Sequence, residues 1–182
     1  MSKQALIIID IQNDYFPSGK WPLDGAERAA DNAARLLDAA RQRGDLVVHV
    51  RHEFNSADAP FFAPGSRGAA IHPKVLPVDD EPVVLKHKVN AFLDTNLKHL
   101  LDQQGVKALT IVGSMSHMCV DAATRAAADF GYDVTVAHDA CATLPLDFNG
   151  KQVPAAQVHD ATMAALAFAY ASVVKTDELL NG

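Results

Sequence analysis

Residues 108–131 have the sequence ALTIVGSMSHMCVDAATRAAADFG, which contains one complete repeat unit of the predicted fold. The stretch begins with an apolar run of strand length, Ala108 to Val112, and continues through a short turn to Cys119. From Cys119 to Phe130 the apolar residues recur with helical spacing, and Gly131 follows where a left-handed residue typically ends a helix. The stretch therefore predicts a strand, a turn and a helix that opens at Cys119.

The same unit recurs along the rest of the chain. Further apolar runs of strand length are found at 5–9, 46–50, 83–85, 134–137 and 172–174. Helical periodicity is found at 26–43, 95–104 and 155–170, and Gly44 and Gly105 follow the first two of these segments. Most of the strands are continuously apolar, which is typical of strands buried on both faces. With right-handed crossovers, this α/β alternation predicts a three-layer α/β/α sandwich with a mostly parallel, Rossmann-like, six-stranded sheet.

Composition narrows the class of protein. The chain has 182 residues, of which 49% are apolar, so we expect a single domain spanning residues 1–182. Its formal charge of -6 is spread along the sequence without a cluster of Lys or Arg, which argues against nucleic acid as a partner. No apolar run approaches the roughly 18 residues that a membrane span needs, and two cysteines are too few for a disulfide framework. We therefore expect a cytoplasmic protein that acts on a small molecule and binds no membrane.

Two long segments, 13–25 and 54–81, interrupt the regular alternation. Long connections in compact domains are usually functional, so we interpret both as walls or lids over a site. Six aromatic residues in or next to the loops at the strand ends are candidates for the pocket wall, with core packing open as the alternative for each. They are Phe16, Trp21, Phe54, Phe61, Phe62 and Phe92.

Three polar residues follow predicted strands at their carboxyl ends, where ligands bind in parallel sheets. Asp10 ends the first strand, Lys86 the third, and the fourth leads to Cys119. A buried aspartate needs a cation nearby, and Lys86 is the candidate. A structural ion pair would explain Asp10 and Lys86 alone. A cysteine at the same edge adds a nucleophile to an acid and a base, which a structural pair does not require.

Cys119 is predicted to lie at a helix N-terminus, where the backbone N–H groups and the helix dipole favour a thiolate. We therefore expect a lowered thiol pKa for Cys119, against the alternative of a buried structural cysteine. For Cys141, after the fifth strand, we expect a packing role. We interpret Gln12 and Asp14 as residues that order their loop rather than as chemical groups.

These residues resemble the isochorismatase-like cysteine hydrolase superfamily, which includes nicotinamidases and related amidases. The matching motifs are DIQNDYF (10–16), Lys86 followed by NAF (90–92), and GSMSHMCV (113–120), in an order that covers nearly the whole chain. The resemblance implies a catalytic triad of Asp10, Lys86 and Cys119, which hydrolyses an amide through a thioester on the cysteine. It also implies a cis peptide between Ser114 and Met115, and an oxyanion hole formed by the N–H groups of Met115 and Cys119.

The sequence departs from the nicotinamidase pattern in one place. Those relatives commonly carry an Asp-x-His pair after the second strand that holds a metal, whereas this chain has VRHEF at 50–54. We therefore expect neither a metal nor another cofactor, and we interpret His49, His52 and His72 as structural or solvated. Retention of the cysteine favours amide chemistry over the cleavage of a vinyl ether by true isochorismatases.

Several alternatives remain open from the sequence. One is a catalytically silent binding protein that kept the fold, and another is a thiol redox sensor in which Cys141 resolves an oxidised Cys119. A nicotinamidase or a true isochorismatase is the third. His117, two residues before the nucleophile, is expected to line the pocket, with a local hydrogen bond as the alternative. The Ala-rich helices permit close packing either inside the domain or between copies of the chain, and we expect a homodimer or homotetramer.

Overall fold

The computed structural model describes residues 3–181. Its strands are β1 (Lys3–Ile9), β2 (Leu46–His52), β3 (Val83–Lys86), β4 (Val106–Ser114), β5 (Asp133–Ala142), β6 (Leu146–Phe148), β7 (Lys151–Val153) and β8 (Ser172–Val174). Its α-helices are α1 (Ala26–Arg43), α2 (Leu97–Gln103), α3 (Asp121–Asp129), α4 (Ala155–Ala169) and α5 (Thr176–Asn181). Six strands form one parallel sheet in the order β3-β2-β1-β4-β5-β8, as the alternation of strands and helices predicts.

Helices cover both faces of this sheet, and each face has its own hydrophobic core. Successive residues of a strand point to opposite faces, so Ile7 of β1 packs in one core and Ile8 in the other. The first core is closed by buried residues of α2, α3 and α4, and the second by the Ala- and Leu-rich face of α1 with support from α5. The three-layer α/β/α arrangement is therefore confirmed.

The glycine positions agree with the sequence analysis. Gly44, Gly105 and Gly131 have positive φ angles of 72°, 68° and 87°, and each stands between a helix and the next strand. Helix α1 also has the bounds that its periodicity predicts. The left-handed residue turns the chain out of the helix without the steric cost that a Cβ would bring.

Two elements were not anticipated. Strands β6 and β7 form an antiparallel hairpin around Asn149 and Gly150, both with positive φ, so the Asn-Gly dipeptide was the available turn signal. The segment before α3 is a π-helical turn, Ser116–Val120, rather than the start of an α-helix. Cys119 is consequently held inside this turn, and α3 begins two residues later at Asp121.

The order of the strands determines where the reactive residues lie. Strand β1 is near the centre of the sheet, with β2 and β3 on one side and β4 on the other. The carboxyl ends of these parallel strands share one edge, so the residues that follow them face a common region. Within residues 3–181, no helix combines the length and the apolar character that crossing a membrane would require.

Candidate active site

The structure brings Asp10, Lys86 and Cys119 together at the carboxyl edge of the sheet. The Lys86 Nζ lies 2.8 Å from Asp10 Oδ2 and 3.2 Å from Cys119 Sγ. The three residues are 0%, 1% and 6% exposed, respectively. The site therefore combines a base, a cation and a sulfur nucleophile in a buried position. A purely structural ion pair would not need the thiol.

The backbone at Asp10 turns its side chain away from the strand. Asp10 has a φ of 51°, in the left-handed region, and its N–H donates to the Val50 carbonyl of β2 at 2.9 Å. Its Oδ2 is paired with Lys86, whereas Oδ1 has no hydrogen-bond partner among residues 3–181. One oxygen of the carboxylate is therefore left over for a proton or a ligand.

The ammonium of Lys86 has four acceptors around it. In addition to Asp10 and Cys119, its Nζ lies 3.0 Å from His52 Nδ1 and 3.1 Å from the carbonyl oxygen of Lys88. Burial acts to lower the pKa of Lys86, but the charge of Asp10 and then that of Cys119 outweigh it, so the pKa is raised. Lys86 is therefore charged in the resting site.

The lowered thiol pKa that the sequence predicts for Cys119 is wrong. Burial, followed by the negative charge of Asp10, raises the pKa of Cys119 to about 12, and the charge of Lys86 opposes this only in part. The π-helical turn buries the sulfur beside its two charged neighbours, so the environment of Cys119 differs from the α-helix N-terminus that the sequence predicts. The resting form is a thiol, and a base is needed to ionise it.

The turn that carries Cys119 is closed by one carbonyl. The Met115 oxygen accepts hydrogen bonds from the N–H groups of Met118 at 3.1 Å and Val120 at 3.2 Å. Cys119 lies between these two donors in the same turn. The peptide between Ser114 and Met115 is cis, as the resemblance implies.

Two side chains of the turn are tied to neighbouring elements. Ser116, fully buried, has its Oγ 2.8 Å from His159 Nδ1 on α4. His117 is half-buried, and its Nδ1 lies 2.6 Å from the Thr143 hydroxyl after β5. The expected pocket-lining role of His117 stays a prediction, since its resolved contact is with Thr143.

Aromatic side chains from the two long loops form a cluster beside Lys86. Its members, here called the aromatic wall, are Tyr15, Trp21, His52, Phe54, Phe61 and Phe62, with ring centroids 4.6 to 6.2 Å apart in each contacting pair. His52 joins this wall to the triad through its contact with Lys86. Trp21, 38% exposed, lies at its outer end.

Two residues expected in the pocket wall pack elsewhere. Phe16 stacks on His72 with ring centroids 3.7 Å apart, and it is buried in the core under α1. Phe92 packs against Phe130 at 5.4 Å and Tyr132 at 6.4 Å, in the core on the opposite face of the sheet. Core packing, the alternative left open for both rings, is what these contacts support.

Gln12 and Asp14 hold the two loops together, as predicted. Gln12 exchanges hydrogen bonds with the backbone of His52, accepting from its N–H at 2.7 Å and donating to its carbonyl at 2.8 Å. Asp14 Oδ2 accepts from the Phe62 N–H at 2.7 Å, and Oδ1 accepts from the Lys20 N–H at 3.1 Å. The loops that carry the aromatic wall are thus anchored directly next to Asp10.

Two residues close to the triad are not among those predicted from the sequence. Tyr15 is buried, and its pKa is raised by burial first and then by the charges of Asp10 and Cys119, which places its phenol near both. His52 was interpreted as structural or solvated, but it contacts Lys86. The available sequence signal for His52 was its position just after the second predicted strand, whereas its register with Lys86 of β3 comes from the structure.

The remaining candidates have separate partners. His49 Nε2 lies 2.9 Å from Glu81, and His72 Nδ1 accepts a hydrogen bond from the Lys74 N–H. These two rings and His52 therefore do not face one common site. The thiol of Cys141 is buried and donates to the Ala137 carbonyl at 3.4 Å, which supports its expected packing role.

Comparison with known proteins places these features in a family. Residues 4–178 match the isochorismatase domain model. The chain is similar to the uncharacterized isochorismatase family protein YddQ of Bacillus subtilis (48% identity; 97% of this chain, 98% of the relative). It is also similar to a streptothricin hydrolase of Streptomyces noursei (37% identity; 97% of this chain, 60% of the relative). Among solved structures, a protein from Oleispira antarctica assigned as an isochorismatase hydrolase superimposes with a TM-score of 0.96 at 59% identity, over 100% of this chain and 97% of that one.

Proposed function

The chain belongs to the isochorismatase family of hydrolases, and from this premise we propose that it cleaves the C–N bond of a small amide through a thioester on Cys119. The observation that carries the proposal is the position of Lys86 Nζ, 2.8 Å from Asp10 Oδ2 and 3.2 Å from Cys119 Sγ, in a buried site. A base, a cation and a sulfur nucleophile in contact are what acyl transfer to cysteine requires.

In the first half of the reaction, Asp10 takes the proton of the Cys119 thiol as the sulfur attacks the amide carbonyl carbon. The need for this step follows from the raised pKa of the thiol, which keeps the sulfur protonated until a base removes its proton. The carbonyl π electrons move to oxygen, and the resulting oxyanion accepts hydrogen bonds from the N–H groups of Met115 and Cys119.

The tetrahedral intermediate then collapses. Its C–N bond breaks, Asp10 returns the proton to the departing nitrogen, and the acyl group remains on Cys119 as a thioester. A water molecule, deprotonated by Asp10, attacks the thioester carbonyl, and the sulfur leaves with a proton. The products are a carboxylic acid and ammonia or an amine, and Cys119 is again a thiol.

Lys86 supplies the charge that both steps need. Its ammonium contacts the carboxylate and the sulfur at once, so it stabilises whichever of the two is negative as the proton moves between them. Because Lys86 is held by two further acceptors, it does not have to reorient during the transfer.

The substrate class is proposed from the surroundings of the triad. The aromatic wall borders the charged triad on the side of His52, and its rings suit a small amide with a flat or apolar acyl group. The similarity to a streptothricin hydrolase also supports hydrolysis of an amide-type bond, although this chain spans 60% of that protein.

The proposal is tested by measuring ammonia release from a panel of small primary amides, both aliphatic and aromatic. The wild-type protein is compared with Cys119→Ala, which removes the nucleophile, and with Cys141→Ala, which removes the other thiol. We expect release by the wild type and by Cys141→Ala, and none above background by Cys119→Ala. No release from any amide, or equal release by Cys119→Ala, would contradict the proposal.

A further inference from the structure

His52 has a fixed position beside the triad. It ends β2 directly opposite Lys86 of β3, and both its backbone N–H and its carbonyl are bonded to Gln12. Its side chain is 7% exposed, and its ring lies against Phe54 at 4.7 Å with the planes at 72°. The backbone and the ring are therefore held by separate contacts, which point Nδ1 at the Lys86 ammonium, 3.0 Å away.

The contact with Lys86 determines which ring nitrogen carries the proton. An ammonium has donors and no acceptor, so Nδ1 of His52 must accept and the hydrogen must be on Nε2. Nε2 is buried and has no hydrogen-bond partner within residues 3–181. Among the described residues, the hydrogen bond to Lys86 is therefore the polar contact that the His52 ring makes.

The ammonium of Lys86 has three N–H donors and four neighbouring acceptors. Two of them, Asp10 and Cys119, take part in the proposed reaction. The other two, His52 Nδ1 and the Lys88 carbonyl, do not change their charge in it. His52 and the Lys88 carbonyl therefore fix the position of Nζ. The remaining N–H of Lys86 is available to Asp10 and Cys119.

We infer that His52 is a positioning residue, which accepts a hydrogen bond from Lys86 and so keeps the ammonium between the Asp10 carboxylate and the Cys119 sulfur. The inference rests on the proposed function of these two residues, and it adds a member that the triad does not include. Without this acceptor, Nζ loses one of the two static contacts that fix its position, and the ammonium either shifts away from the sulfur or is held beside it less firmly. In both cases the Cys119 thiolate loses stabilisation.

Two replacements separate this role from packing. His52→Phe keeps a flat ring against Phe54 but has no acceptor. His52→Asn gives up the ring, and its side-chain oxygen takes approximately the place of Nδ1. A positioning role requires that the Asn variant work better than the Phe variant, whereas a packing role requires the reverse order.

The experiment measures the rate at which iodoacetamide alkylates Cys119 between pH 6 and 9, read by mass spectrometry on the Cys119 peptide with Cys141 as internal reference. It needs no substrate, so it gives a result even if no amide is cleaved and the proposed function fails. For His52→Phe we expect a rate about tenfold below wild type, and for His52→Asn a return to within about threefold. Thermal unfolding checks that both variants are folded. A wild-type rate in His52→Phe, or an equal loss in both variants, would overturn the inference.

Discussion

Gly113 of β4 lies so close to Ile9 of β1 that a Cβ at Gly113 would overlap the carbonyl oxygen of Ile9. Gly113 also has a φ of 126°, which side chains rarely adopt. Ile9 precedes Asp10, and Gly113 opens the segment that leads to Cys119. The close approach of these two backbones therefore sets the distance between the base and the nucleophile of the proposed reaction.

Gly113→Ala is expected to damage both the fold and the site. The new methyl group must push β4 away from β1 at the point where both strands end, which we expect to cost at least about 3 kcal/mol of unfolding free energy. Gly131→Ala is the matched control, because Gly131 also has positive φ but nothing within 4 Å of a Cβ, so about 1 kcal/mol is expected. Urea denaturation measures both. Equal effects would mean that the contact with Ile9 is unimportant.

Asp10→Asn is expected to change turnover and thiol reactivity in opposite directions. Loss of the base should lower amide turnover by about 10²- to 10⁴-fold. The negative charge of Asp10 helps to raise the pKa of Cys119 to about 12, so its removal lowers that pKa. Alkylation of Cys119 at pH 8 should therefore become about tenfold faster. If alkylation falls together with turnover in a folded variant, the charge of Asp10 does not hold the pKa of the thiol up.

Lys86→Met is expected to destabilise the protein. Methionine has a similar length but no charge, so the Asp10 carboxylate is left buried without its cation. Removal of one partner from a buried ion pair costs about 3–5 kcal/mol. Chemical denaturation at pH 7.5 measures the loss, with Lys98→Met as the control, because Lys98 forms an exposed pair with Asp102 within α2. Similar stability of the two variants would refute the energetic importance of the buried pair.

The unfolding free energy is expected to fall as the pH is lowered from 6.5 toward 4. Burial first, and then the charge of Lys86, lowers the pKa of His52 from 6.5 to about 4. In this window the unfolded chain binds a proton at His52 and the folded chain does not, so protonation favours unfolding. The full effect is about 3 kcal/mol for this one residue. His52→Asn should flatten the curve in this range, and an unchanged slope would contradict the lowered pKa.

Much of the fold could be predicted because its signals are local. Continuous apolar runs mark the parallel strands, and glycines after helical segments mark where the chain turns back to the sheet. The same reasoning placed Asp10, Lys86 and Cys119 at one edge, since strand ends of a parallel sheet share a side. The positions of these three residues needed no tertiary information beyond the order of the strands.

The rest depends on how distant segments pack. The pKa of Cys119 follows from the burial of its sulfur beside Asp10, which the helix-end position alone does not reveal. His52 acquires its contact with Lys86 from the pairing of β2 with β3, and the aromatic wall forms only where two loops meet. Position in the sequence misleads for Phe16 and Phe92. Both lie near strand ends in the sequence, which predicted a place in the pocket wall, but both pack into the cores.

In the proposed reaction Cys119 carries the acyl group, and mass spectrometry of the enzyme quenched in acid during turnover of an amide detects that group. We expect a peptide containing Cys119 that is heavier by the acyl group of the substrate, and the loss of this adduct on treatment with hydroxylamine. In Cys119→Ala, both the adduct and the turnover should be absent. Turnover that persists at the wild-type rate in Cys119→Ala, with no adduct in either protein, would contradict the proposed reaction.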